Sequence, residues 1–109
     1  MTEKFDLHRF DGKDFHLWKY QMKLFLLGQD LMSVVDGTTP KPADGDAQLA
    51  NWIKSNNKAM MYLSQALARG QLALIVNCDT AKEIWDSLCS FHEQKSKASV
   101  HMVQTQFFE

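Results

Sequence analysis

The chain has 109 residues, 45% of them hydrophobic and 11% aromatic, which is room and material for one domain with a real core. Twelve Lys plus Arg stand against 13 Asp plus Glu, a formal charge of −1, so no basic field marks a nucleic-acid or anionic-membrane surface. Two cysteines (Cys78 and Cys89) cannot build a disulfide framework, no apolar run approaches the roughly 20 residues of a membrane span, and the charged start Met1-Thr2-Glu3-Lys4-Phe5 lacks a signal-peptide core; a small, soluble, cytoplasmic domain is expected.

Five Gly and two Pro favour helices over a turn-rich β fold. Over residues 14–27, Phe15, Trp18, Met22, Phe25 and Leu26 recur at helical spacing on one face. Asp14 is the expected N-cap, its carboxylate taking a first-turn N–H, and Gly28 is the expected stop. A second stripe, Leu17, Tyr20, Leu24 and Leu27, lies on the opposite face. His16, Lys19 and Lys23 fill one polar strip between the two, and Gln21 marks the other. A helix apolar on two faces must touch two things. Either it is central in a small bundle, or its second face is left for a partner.

A short helical piece over residues 30–35 leads into a loop, 36–46, that holds both prolines and two glycines. Leu49, Trp52, Ile53, Met60, Leu63 and Leu67 then share one narrow stripe, which predicts a continuous helix over 47–69 closed by Gly70. Asn56 falls inside that stripe, as a satisfied core polar group or the site of a kink, with the first favoured. Residues 71–77 fit a short helix or a strand equally. Thr80-Ala81-Lys82-Glu83 has the capping-box pattern, and Ala81, Ile84, Trp85, Leu88 and Phe91 follow as an apolar face. A last helix from about Ser96 carries Val100, Val103 and Phe107. Its end at Phe107-Phe108-Glu109 has no cap, so the chain reads as one all-α domain over 1–109, a bundle of about five to six helices cut from a longer protein, with the last helix truncated or leading onward.

Catalytic and metal chemistry find little support. His8, His16, His92 and His101 include no pair at the i, i+4 spacing of a helical zinc site, and no cysteine completes a ligand set. Asp11-Gly12-Lys13-Asp14 and Asp44-Gly45-Asp46 resemble calcium loops but lack the glutamate that closes the ligand series; they read as turns and caps. Phosphate-binding glycine loops and nucleophile elbows are absent, so no enzyme, cofactor or metal is expected. Lys95 and Lys97, near His92 and His101, could meet about two phosphates, against the 6–10 of a typical specific nucleic-acid binder. Of the methionines, Met60 is assigned to the core and Met61 to the surface, where its flexible thioether suits adaptable contacts.

Three ordered stretches resemble one known family. Phe10-Asp11-Gly12-Lys13-Asp14-Phe15-His16-Leu17-Trp18, continuing to Met22, is similar to the F-x-G-x-N-[FY]-x-x-W-x-x-x-M opening of copia-type LTR-retrotransposon Gag polyproteins, with Asp14 in place of the commoner Asn. Leu31-Met32-Ser33-Val34-Val35-Asp36-Gly37 matches a short L-x-x-V-x-x-G element. Thr80-Ala81-Lys82-Glu83-Ile84-Trp85-Asp86-Ser87-Leu88, with Phe91, His92, Glu93 and Ser96, is similar to T-A-x-E-[IVL]-W-x-x-L-x-x-x-[FY]-E-x-x-S, the Glu falling one position late after Phe91.

The resemblance implies an all-helical domain of Gag, the N-terminal lobe of its capsid region, whose function is to build virus-like shells through contacts with copies of itself. It implies that Phe10, Gly12, Phe15, Trp18, Met22, Ile84, Trp85 and Leu88 determine the fold, to which we add Trp52 from the long helix. The family's RNA-binding zinc knuckle is missing from these residues, so RNA is expected to be met only indirectly, through other segments. Contacts that repeat around a symmetry axis close into rings, and each can be weak because many act together. Leu17, Tyr20, Leu24 and Leu27 are the candidate interface. The alternative is a domesticated Gag-derived module whose helical groove captures a partner peptide.

Overall fold

Residues 9–93 are described by the computed structural model, and their regular secondary structure is helical. In chain order the helices are α1 (Phe15–Gly28), α2 (Met32–Val35), α3 (Leu49–Gln65) and α4 (Arg69–Leu72), followed by α5 over 81–93. Among the described residues there is no strand, only one isolated parallel bridge between Phe10 and Leu67. The all-α expectation holds. The helix expected from Ser96, with Lys95, Lys97, Val100, His101, Val103 and Phe107, lies outside the described residues.

One face of α1 buries Phe15, Trp18, Met22 and Leu26, the stripe that the 3.6-residue period marks out. Both ends of the helix differ from expectation. Asp14 does not cap through its carboxylate: it is left-handed, φ 56°, and its carbonyl accepts the Leu17 and Trp18 N–H groups at 3.1 and 3.2 Å. The chain must turn from the buried Phe10 into α1 within four residues, and Gly12 at φ 108° and Asp14 make that reversal. Aspartate visits this region more often than most L-residues, at a modest steric cost. At the other end Gly28 remains helical and Asp30, φ 59°, supplies the left-handed stop. Leu31 N–H reaches the Leu26 carbonyl at 2.9 Å and Asp30 N–H the Leu27 carbonyl at 3.1 Å, the paired bonds of a Schellman motif. Leu26 and Leu31 are both buried beneath it.

The long helix stops four residues short of expectation, at Gln65, and Gly70 lies inside α4 instead of closing α3. Phe10 explains the break. Its N–H donates to the Ala66 carbonyl and its carbonyl accepts the Ala68 N–H, both at 2.8 Å, so Ala68 turns extended to meet it. Leu67 is still buried, held in the core by the bridge instead of by helical phase. The buried stripe of α3 is Trp52, Asn56, Ala59 and Leu63, with Ile53 exposed beside it. Trp52 Nε1–H donates to the Thr39 carbonyl at 2.9 Å and so ties the proline-containing loop to α3. Within that loop Asp36 and Asp46 accept the N–H groups of Thr38 and Gln48, as aspartates in turns do.

Of residues 71–77, Gln71 and Leu72 complete α4 and 73–77 form turns, so the short helix is realised in part and the strand is not. Thr80 caps α5 by accepting the Glu83 N–H at 3.1 Å. The Glu83 carboxylate reaches back one residue further than the capping-box pattern predicts, to the Asp79 N–H. Ala81, Ile84, Trp85 and Leu88 are buried as expected, but the stripe continues at His92 and leaves Phe91 48% exposed. Four residues on from Leu88, His92 is where helical geometry carries the inner face. Buried residues from Phe10 to Leu88 join in one cluster.

Candidate interaction surface

The core faces of α1 and α5 meet through rings. Trp18 and Trp85 lie 6.1 Å apart, Phe10 packs on Phe15 and Trp18 at 5.3 and 5.2 Å, and the His92 ring stacks on Phe15 at 5.1 Å. His92 Nε2 is 2.9 Å from Gln71 Oε1, which can only accept, so this nitrogen donates. Of the residues assigned to the fold, Phe10, Phe15, Trp18, Met22, Trp52, Ile84, Trp85 and Leu88 all belong to the one buried cluster. A Cβ at Gly12 would come within 3.1 Å of Gln71 Nε2, on a backbone already at positive φ.

With its inner face committed to these rings, α1 turns its second stripe outward. Leu17 and Tyr20 are 62% exposed, Leu24 and Leu27 50%. The four recur at steps of three, four and three residues, the a/d spacing of a coiled-coil seam. The helix has no acidic residue, and Lys23 and His16 border the stripe on the solvent side. Lys19, on the edge nearer the core, is ion-paired with Glu93 of α5, a bond that holds its ammonium above the ordinary lysine range. Beside it Cys89 is half-buried, and loss of water pushes its thiol up. The histidine and glutamate that depart from the family spacing thus have separate tasks, His92 toward the rings and Glu93 toward Lys19.

Other exposed apolar side chains are Ile53 and Met61 on α3, Leu74 and Val76 in the turns after α4, and Phe91. Met61 is outside and Met60 half-buried, as their angular positions require. Leu74 and Val76 were not distinguishable in the sequence, because a run without helical phase does not say which side faces water. Among the described residues no group of three or more His, Cys, Asp or Glu side chains is placed to hold a metal, and both cysteines are free. No helix among them is long and apolar enough to cross a membrane.

A family model described as the gag-polypeptide of LTR copia-type matches residues 22–109. The chain belongs to that family. The match takes in the second half of α1 and α2 through α5, whereas the Phe10-to-Trp18 opening of this Gag domain precedes it. No solved structure matches the chain. The Gag family is structural, which fits a non-catalytic domain.

Proposed function

We propose that this Gag domain is a capsid-type building block, which joins copies of itself into virus-like shells through protein–protein contacts. The observation that supports this reading is the open stripe of α1, four large apolar side chains at least half exposed on one helix face. Leaving that much apolar surface in water is unfavourable, and a contiguous patch of this kind marks an interaction site. A stable pairwise interface takes roughly 800 Å² from each partner, and four half-exposed side chains provide well under that. Contacts of that size suit an assembly in which each copy touches several others. Such particles would be cytoplasmic, and RNA would be met by other segments of the parent polypeptide.

The test is the double variant Tyr20→Asp plus Leu24→Asp. Both side chains stand in solvent, so the variant should keep the helical circular-dichroism spectrum and cooperative melting of the parent chain. Electron microscopy should show shells for the unchanged sequence and none for the variant. Shells from the variant would remove the stripe from the assembly contacts.

A further inference from the structure

We infer that the segment that carries Phe10, ahead of the turn at 11–14, is an exchangeable arm, whose place on the domain a second copy of the chain can fill. This rests on the self-association reading and names a contact distinct from the α1 stripe. Phe10 is 1% exposed, and its ring lies against Phe15, Trp18 and His92 at 4.7 to 5.3 Å. Its backbone N–H and carbonyl pair with Ala66 and Ala68. Every group that holds Phe10 therefore comes from α1, α5 and the joint between α3 and α4. The same residue delivered by another copy meets identical partners.

The connection between this arm and the domain gives the exchange its direction. Residues 11–14 reverse the chain with Gly12 at φ 108° and Asp14 at φ 56°, and only the glycine does so without steric cost. An aspartate before a helix ordinarily sits in extended backbone, with its carboxylate on a first-turn N–H. Asp14 makes no such bond while the arm lies on its own domain. Straightening the hinge releases the left-handed residue and lets its carboxylate cap α1. It also withdraws Phe10 from its site, and burial is recovered only when a neighbour's arm enters. A short hinge under strain is the setting in which domain swapping is favoured. Reciprocal exchange closes a pair, one-way exchange builds a chain of copies, and either leaves Leu17, Tyr20, Leu24 and Leu27 on the outer face for other contacts.

The experiment mixes isotope-labelled and unlabelled copies of the full chain at millimolar concentration, after joint refolding, and records isotope-filtered nuclear Overhauser effects. Exchange places cross-peaks from the Phe10 ring of one copy to Trp18 and Leu67 of another. Asp14→Gly removes both the left-handed cost and the cap, so it should weaken the exchanged dimer about tenfold or more in sedimentation equilibrium. A chain that remains monomeric at that concentration, or one that associates with every Phe10 contact inside its own copy, overturns exchange. Shells formed by the parent protein without exchanged Phe10 contacts would remove this inference alone. Exchanged contacts in a parent protein that builds no shells would keep the arm and remove the capsid reading.

Discussion

Asn56 shows how one residue couples two elements. It is 5% exposed in the middle of the α3 stripe, where an amide without partners would destabilise the core. Its Oδ1 accepts the Ala81 N–H at 2.8 Å, a first-turn donor of α5 that the helix itself cannot satisfy. Its Nδ2 lies 3.5 Å from Met60 Sδ, a weak acceptor one turn away. The position in the stripe was legible and favoured a satisfied group over a kink, but the identity of the partner, 25 residues on, was not legible. Asn56→Leu keeps the volume and strands a buried N–H, so it should cost about 1–3 kcal/mol in urea unfolding. Amide exchange of Ala81 should quicken in the same variant. Unchanged stability would mean that Thr80 alone holds the start of α5.

Helix ends were less legible than helix faces. The 3.6-residue period identified the inner face of α1 and placed Ala81, Ile84, Trp85 and Leu88 on one side of α5, because burial repeats with the turn of the helix. It could not show where α3 stops, since Leu67 keeps the phase of the stripe after the helix has broken to pair with Phe10. Nor could it separate Gly28 from Asp30 as the stop of α1. That choice depends on where Leu31 turns inward, which packing decides. Asp30 leaves an L-residue in left-handed backbone and a negative charge at a helix C-terminus, two unfavourable terms. Asp30→Gly relieves both, and the greater freedom of glycine in the unfolded chain offsets part of the gain. A net stabilisation of about 1 kcal/mol is expected. Thermal unfolding checks it, and a lowered melting temperature would show that the Asp30 side chain has a stabilising role.

Across the whole molecule, Phe10 ties the start of the chain to three other parts, through its ring to α1 and α5 and through its backbone to the joint after α3. Phe10→Ala should cost about 3–5 kcal/mol, a large share of the roughly 5–15 kcal/mol that holds a domain of this size. Its signature is a lower urea midpoint at unchanged slope, and a loss below about 1 kcal/mol would mean that the remaining rings close over the gap. By itself the sequence determined the all-α class, the inner face of α1, that of α5 as far as Leu88, the loop over 36–46, and the copia-type Gag family. These follow from local periodicity, side-chain chemistry next to the backbone, and ordered motifs, each of which acts within a few turns of chain. Tertiary structure alone decided that the second stripe of α1 stays open, that α3 yields to Phe10, and that Asn56 caps a distant helix. A stripe of leucines has the same pattern whether a neighbour covers it or water does. Only the placement of α5 and the Phe10 arm against one side of α1 leaves the other side exposed among the described residues.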